Sequence, residues 1–239
     1  MATYILLIIV PWPFCALIVS IFFGQLSFYS KYLKKIGKRM INKKQTATPV
    51  AIFASGAGSN AEKIIAFSKC APANFTVKLI VYNKPEAGVL NVAAKYNIET
   101  LLINKEKFFT GDAYVTELQN RGIAFIVLAG FLWKIPTALI SAWRNKIINI
   151  HPALLPKYGG KGMYGDNVHQ AIITAKEKES GITIHYVDEL YDHGNIIFQA
   201  KCEIDDNDTA QTLAKKIHLL EHEHYPDIIA KTLKMQNSR

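Results

Sequence analysis

Residues 50–60 read VAIFASGAGSN, and they decide the fold class. The apolar run Val50–Ser55 is typical of a strand that is buried on both faces. The glycines that follow allow a tight turn, and Asn60–Lys69 is predicted to be a helix. A buried strand that passes through a glycine loop into a helix is the repeating unit of parallel α/β sheets.

The same unit recurs as far as residue 151. Further strands are predicted at Val77–Asn83, Glu99–Asn104, Ile123–Gly130 and Lys146–His151, with helices between them at Gly88–Tyr96, Asp112–Asn120 and Ile135–Trp143. This alternation predicts an α/β, Rossmann-like fold, in which a mostly parallel sheet carries helices on both faces. Ligands of such sheets bind beyond the carboxyl ends of the strands. The site is therefore expected among Gly56–Asn60, Gly130–Ile135 and Asn149–Gly160.

The last third of the chain has a different pattern. Gly181–Asp188 and Asn195–Ile204 are predicted as antiparallel strands, and the residues from about Thr209 to Met235 as a final helix. Asp208 and Gln211 are spaced as in a capping box at the start of this helix. Pro226 is expected to kink it.

Residues 1–48 differ in composition from the rest. Tyr4–Phe28 is apolar and uncharged over a length that can cross a bilayer as a helix. Residues 31–44 supply seven of the nine net positive charges, and charges in this position place the remainder of the chain on the cytoplasmic side. Two interpretations stay open: a membrane anchor, or a stretch upstream of a natural start near Thr46. We divide the chain into this hydrophobic and basic segment, 1–48, and a domain at 49–239.

The composition of the domain narrows the possible functions. Because the basic residues are concentrated before residue 48, the domain is nearly neutral and no nucleic-acid partner is expected. Cys15, Cys70 and Cys202 are far apart and fit neither a zinc nor a disulfide spacing, which favours a reducing, intracellular compartment.

Gly56–Asn60 is predicted to bind a phosphate. Glycines let the backbone approach a ligand closely, and the N-terminus of the following helix offers unpaired N–H groups to an anion. Together with Ala61, the loop also fits the loose dinucleotide fingerprint, so a nicotinamide enzyme is an alternative. That class needs an acidic residue at the end of the second strand to hold the ribose, whereas Asn83 and Lys84 stand there.

Asn149 and His151 end the fifth predicted strand, and their alternation points both side chains to the same side. Pro152 and Pro156 make the following loop rigid. An amide donor beside an imidazole can polarise a carbonyl oxygen and transfer a proton. The pair is therefore a candidate catalytic site.

Four stretches together resemble the glycinamide ribonucleotide formyltransferases. They are FASGAGSN (53–60), VLAGFLWKI (127–135), NIHPALLP (149–156) and DHGNII (192–197), in the family's order, and the resemblance covers about residues 49–235. It implies transfer of a formyl group from 10-formyltetrahydrofolate, the co-substrate, to the amine of glycinamide ribonucleotide in the purine (IMP) pathway. It implies no metal, a cytoplasmic catalytic domain, and a monomer or a homodimer.

The resemblance also implies the roles of individual residues. These are catalytic for Asn149, His151 and Asp192; substrate-binding for Gly58, Ser59, Asn60 and Glu221; and cofactor-binding for Leu132, Trp133, Lys134, Ile135 and Asp188. In this scheme Asn149 and His151 stabilise a tetrahedral oxyanion. Asp192 orients His151 and favours its charged form.

The chain departs from the family in two places. The family's folate-tail arginine corresponds to a position near Gly111, which leaves that contact unassigned. The loop Gly159–Asn167 is longer than in the shorter members, and its glycines predict a mobile lid. Lys157 is either a phosphate or folate-tail contact or an exposed charge.

Rival interpretations concern the histidines and the function class. His218, Glu221 and His222 have the spacing of an inverted zinc-protease motif, although a helix rich in His and Glu forms it readily. His169, His185 and His193 are expected to be structural or solvent-facing.

Two other classes of function compete with this transferase. One is a relative that formylates another amine or hydrolyses formyl-folate, and the other is a membrane-tethered binding protein without activity.

Overall fold

The structure is a computed structural model, and it describes residues 47–70 and 73–237. The predicted hydrophobic helix at 4–28 and its basic linker lie outside the described residues. Among the helices that are described, none is long and apolar enough to cross a membrane.

Seven strands and seven helices make up the described part of the chain. In chain order they are β1 (Thr48–Ala54), α1 (Ser59–Ser68), β2 (Phe75–Tyr82), α2 (Val89–Tyr96), β3 (Glu99–Leu102), α3 (Lys105–Thr110), α4 (Ala113–Asn120), β4 (Phe125–Leu128), α5 (Thr137–Ala142), β5 (Ile147–His151), α6 (Asp166–Thr174), β6 (Glu179–Tyr186), β7 (Ile196–Glu203) and α7 (Ala210–Gln236).

The strands form one sheet in the order β3-β2-β1-β4-β5-β6-β7. β1 to β5 are parallel, whereas β6 and β7 are antiparallel to their neighbours. The predicted parallel α/β fold and its antiparallel pair of strands are thereby confirmed. The chain runs outward from β1 in both directions, so the crevice that binds ligands in such sheets is expected beyond β1 and β4.

Alternate residues of the strands supply two apolar layers. Ile52 lies in the layer under α1, α2, α6 and α7, and its neighbour Phe53 lies in the layer under α3, α4 and α5. Successive side chains of a strand point to opposite faces. An apolar run such as Val50–Ala54 therefore fills both layers, and helices cover both faces of the sheet as predicted.

The sequence missed two helices, α3 and α6. The first is only six residues long and buries only Phe108. The second begins at Asp166, so the predicted loop Gly159–Asn167 ends inside a helix.

The start of α7 also differs from the prediction. Its N-cap is Thr209, whose hydroxyl accepts from Thr212 N while Thr212 Oγ1 accepts from Thr209 N. The predicted pair, Asp208 and Gln211, is thus shifted by one residue. Asp208 instead accepts a hydrogen bond from the Thr212 hydroxyl and pairs with Lys216.

α7 continues through Pro226 to Gln236 and is fixed to the sheet one turn after Glu221. The buried Tyr225 hydroxyl donates to Leu128 O at 2.9 Å, at the carboxyl end of β4, and lies 3.4 Å from Ile148 O in β5. This contact brings α7 to the edge of the sheet where the candidate site lies.

Candidate active site

A cavity of about 730 Å³ lies beyond the carboxyl ends of the strands. This volume is within the usual range for small-molecule sites. The loops after β1, β4 and β5, the connection between β6 and β7, and α6 and α7 all contribute to its wall. Every predicted substrate- and cofactor-binding residue lines it: Gly58, Ser59, Asn60, Leu132, Trp133, Lys134, Ile135, Asp188 and Glu221.

The glycine loop forms one end of the cavity. Gly58, the N-cap of α1, has φ 84°, and a Cβ there would lie 2.8 Å from the Val89 backbone. Only glycine meets both conditions without strain. The first N–H groups of α1 have no acceptor within the helix, so this end of the cavity can accept an anion.

A buried carboxylate connects the glycine loop to α7. Asn60 Nδ2 donates to Glu221 Oε2 at 2.9 Å, and His218 Nδ1 lies 2.8 Å from the same oxygen. Asn60 Oδ1 is buried without a hydrogen-bond partner among the described residues. The Asn60 amide nitrogen is therefore occupied by Glu221, whereas the amide oxygen is an acceptor with no donor among the described residues.

Register places a second polar cluster in the cavity wall. β5 and β6 pair so that Asn149 lies opposite His185, and Asn149 Nδ2 is 3.2 Å from His185 Nε2. His185 Nδ1 lies 2.8 Å from Tyr186 O. Because a carbonyl can only accept, Nδ1 carries the proton and Nε2 accepts from Asn149.

Asp192 lies between two buried imidazoles. Its Oδ2 is 3.5 Å from His151 Nδ1, and its Oδ1 is 3.6 Å from His185 Nε2. Gly160 N also donates to Asp192 Oδ2 at 2.9 Å. Asn149, His185 and Asp192 line the cavity, whereas His151 does not and contacts the lining residue Asp192.

The surroundings of Asp192 favour its carboxylate form. Burial alone would raise the pKa of Asp192, but His185, His151 and the Gly160 N–H together lower the pKa below its ordinary value. Burial lowers the pKa of His151, against the opposing effect of Asp192. Asp192 thus acts in the predicted direction on His151, but burial is the larger effect, and the resting imidazole is neutral.

Burial contradicts one of the two alternatives for His185 and His169, a solvent-facing position. Both were expected to be structural or solvent-facing, yet both are at least 96% buried and line the cavity. A single histidine in an apolar strand gives no signal of its function; the pairing of His185 with Asn149 becomes visible only in the sheet register. His193, in contrast, is exposed and contacts Asp188 at 3.2 Å.

Apolar and aromatic side chains form another part of the cavity wall. Trp133 packs against Phe108 and Phe131, with ring centroids 5.6 and 6.2 Å away. The Lys134 ammonium lies 5.6 Å from the centre of the Tyr191 ring, and both residues line the cavity. These surfaces are suited to a flat, mostly apolar ligand.

The predicted lid loop covers part of the cavity. Gly160 to Asp166 all line it, and Gly160 contacts Asp192. A Cβ at Gly159 would lie 3.2 Å from the Asp192 Cβ, so the loop packs closely on the carboxylate. Movement of this loop stays a prediction.

Other candidates lie outside the cavity. Lys157 pairs with Glu177 at 3.0 Å, and Gly111 ends α3 without lining the site. Within residues 47–70 and 73–237, no group of three or more His, Cys, Asp or Glu side chains could hold a metal ion. In the zinc-like motif, the His218 ring instead lies against Glu221.

The formyl transferase family model matches residues 48–229 of the chain. The chain is 40% identical over 185 residues to the chloroplastic phosphoribosylglycinamide formyltransferase of Arabidopsis thaliana, covering 75% of this chain and 63% of that protein. It is 39% identical over 191 residues to phosphoribosylglycinamide formyltransferase of Bacillus subtilis, covering 78% of this chain and 95% of that protein. The crystal structure of phosphoribosylglycinamide formyltransferase from Bacillus halodurans superposes with a TM-score of 0.71 at 37% identity, covering 78% of this chain and 95% of that one. The chain thus spans less than two thirds of the length of the plant relative.

Proposed function

The chain belongs to the formyl transferase family, and we propose that it transfers the formyl group of 10-formyltetrahydrofolate to the amine of glycinamide ribonucleotide, in purine synthesis. One observation carries the proposal: a single cavity joins the anion-accepting loop of Gly58, Ser59 and Asn60 to the cluster of Asn149 and Asp192. Its aromatic end provides a surface for the pterin. The names of the relatives support the choice of both substrates.

Asn149 is suited to the oxygen on which charge develops. The neutral amine attacks the formyl carbon, and the formyl oxygen becomes an oxyanion. An amide nitrogen has two N–H groups; in Asn149 one donates to His185 and the other is available to the oxyanion. A donor held in advance by the sheet needs no reorganisation when the charge appears.

Asp192 is suited to the proton transfers. The amine loses a proton as it bonds to carbon, and the leaving folate nitrogen gains one as tetrahydrofolate departs. A carboxylate between two imidazoles stabilises the imidazolium that forms on either of them. In this proposal Asp192 is catalytic, His151 acts on the reaction through Asp192, and His185 joins them as the histidine that lines the cavity.

An acceptor panel tests this proposal against the other formyl acceptors. The full chain is mixed with 10-formyltetrahydrofolate and one acceptor at a time: glycinamide ribonucleotide, an amino sugar nucleotide, aminoacyl-tRNA or water alone. We expect a change in folate absorbance with glycinamide ribonucleotide only. His185→Ala and His151→Ala are assayed beside it; a normal rate in both would remove the histidines from the mechanism.

We further propose that residues 4–28 tether the domain to the cytoplasmic face of a membrane. The uncharged apolar run followed by lysines supports this proposal. The full chain should sediment with membranes at high salt, and a chain that starts at Thr46 should not. Recovery of both chains in the supernatant would contradict an anchor.

A further inference from the structure

His169 is a buried imidazole of the cavity wall whose nitrogens are unpaired. It lies on α6, the helix that begins where the lid loop ends, and it is only 4% exposed. Neither ring nitrogen has a hydrogen-bond partner among the described residues, and Nδ1 is fully buried. The buried rings of His151 and His185, in contrast, each contact a backbone carbonyl oxygen at 2.8 Å.

The fold gains little from an imidazole at this position. Val168 and Ile172, the other two buried residues of α6, supply the apolar side chains that pack this helix on α7. A buried polar group without a partner costs free energy, and nearly all such groups in folded proteins are paired. An unpaired imidazole in a cavity wall is therefore explained best by a ligand that completes its hydrogen bonding.

His169 lies between two parts of the cavity that the proposed function uses. His218 and Glu221 on α7 and His151 at the end of β5 are all close enough to affect its protonation. Glu221 holds the glycine loop, which accepts the phosphate, and His151 contacts Asp192, which faces the amine. The ribose joins the phosphate to the glycinamide in the acceptor, so the ribose is the part of the ligand nearest to His169.

The neutral ring of His169 suits a hydroxyl rather than an anion. Burial lowers the pKa of His169 from 6.5, and the neighbouring His218 lowers the pKa further. The carboxylates of Glu221 and Asp166 oppose this shift but do not reverse it. Because Nδ1 is fully buried, Nε2 is the nitrogen that can meet a ligand in the cavity. A hydroxyl both donates and accepts, so it pairs with Nε2 in either neutral tautomer.

Resting on the proposed function, we propose that His169 is a substrate-binding residue whose Nε2 hydrogen-bonds a ribose hydroxyl of glycinamide ribonucleotide. A site built to pair with a hydroxyl rejects an analogue that lacks it, because the polar group of the protein is then left unpaired. His169 thus makes the enzyme select a ribose over a deoxyribose. No covalent bond is made or broken in this contact.

Calorimetric titration of the full-length protein tests the contact without turnover. The probes are ribose 5-phosphate and its 2-deoxy and 3-deoxy forms, which all carry the same phosphate. The wild type should bind ribose 5-phosphate about tenfold more tightly than one of the deoxy forms, and His169→Phe should bind all three equally. A His169→Phe variant that keeps the preference, or a wild type that binds none of the probes or all of them equally, would overturn the proposal.

His222→Phe is the matched control. His222 on α7 also has a buried nitrogen without a partner among the described residues, but it does not line the cavity. Each of the two substitutions replaces an unpaired imidazole by an apolar ring of similar shape, so both variants should keep the wild-type free energy of unfolding in urea. Only His169→Phe should lose the preference for ribose. Loss of the preference in both variants would overturn the proposal.

Steady-state kinetics separate this contact from the proposed function. The KM for glycinamide ribonucleotide should rise about tenfold in His169→Phe, while kcat and the KM for 10-formyltetrahydrofolate stay nearly the same. His169→Gln, a smaller side chain that keeps a polar group, should give an intermediate KM. A fall in kcat at an unchanged KM would overturn the proposal. A protein that prefers ribose 5-phosphate through His169 but transfers no formyl group would leave this contact intact and refute the proposed acceptor instead.

Discussion

The side-chain amide of Asn60 donates to the buried carboxylate of Glu221 at 2.9 Å, and 161 positions of the chain separate the two residues. This hydrogen bond connects the loop after the first strand to the last helix. It fixes the phosphate end of the cavity to α7, which Tyr225 in turn fixes to the ends of β4 and β5. The glycine loop and the ends of β4 and β5 are thus connected through α7.

Removing this carboxylate should weaken both the fold and substrate binding. Glu221→Ala leaves the Asn60 amide without its acceptor, which costs about 1–3 kcal/mol in the free energy of unfolding. The KM for glycinamide ribonucleotide should rise by about tenfold or more, while the KM for 10-formyltetrahydrofolate stays the same. Urea unfolding and steady-state kinetics measure the two effects. Glu221→Gln keeps an acceptor for Asn60 and should recover most of the stability; equal losses in both variants would contradict this role.

Acid should destabilise the folded protein through His151 and Asp192. The pKa of His151 is lowered from 6.5, so its contribution to stability is complete above that pH and is lost as the pH falls. The pKa of Asp192 is lowered from 3.8, so its contribution is lost at still lower pH. In urea unfolding from about pH 7 to about pH 5, His151→Gln should lose less stability than the wild type. Burial also lowers the pKa values of His169 and His222, so both proteins lose some stability over this range. If the free energies of unfolding of the wild type and His151→Gln fall equally with pH, His151 is not involved.

The connection that carries Asp192 should not tolerate a methyl group at Gly194. A Cβ there would lie 1.9 Å from the Tyr186 carbonyl oxygen, a backbone atom that cannot move without disturbing the strand pair. Gly194→Ala should reduce the free energy of unfolding by about 1–3 kcal/mol or more and reduce turnover as Asp192 shifts. Gly111→Ala is the control, because nothing lies within 4 Å of its Cβ position. Thermal melts that give Gly194→Ala and Gly111→Ala the same Tm would refute the prediction.

Neutralising Asp192 should reduce kcat rather than substrate binding. Asp192→Asn keeps the size of the side chain and an acceptor for Gly160 N, but removes the charge that faces His151 and His185. A loss of about a hundredfold or more in kcat is expected for a group that assists proton transfer. Asp206→Asn, at an exposed position paired with Lys178, is the matched control. A variant with unchanged kcat and a raised KM would assign Asp192 to binding alone.

Local patterns predicted the architecture but not every contact of the site. The apolar run at Phe125–Leu128 is buried on both faces because it lies inside a parallel sheet, and that pattern is local. His185 gave no local signal, since its role depends on the antiparallel pairing that places it opposite Asn149. Glu221 was predicted only through the family resemblance, because HLLEH taken alone suggested zinc. Its contact with Asn60 spans most of the domain, and no short-range pattern can predict it.

Labelled formyl transfer tests the central claim most directly. 10-Formyltetrahydrofolate with a ¹³C-labelled formyl group is incubated with glycinamide ribonucleotide and the protein, and the products are identified by mass spectrometry. We predict labelled formylglycinamide ribonucleotide in equal amount to the tetrahydrofolate released, at a rate that Asn149→Ala lowers by about a hundredfold. Label recovered as free formate, or no transfer by a protein shown to be folded, would contradict the account.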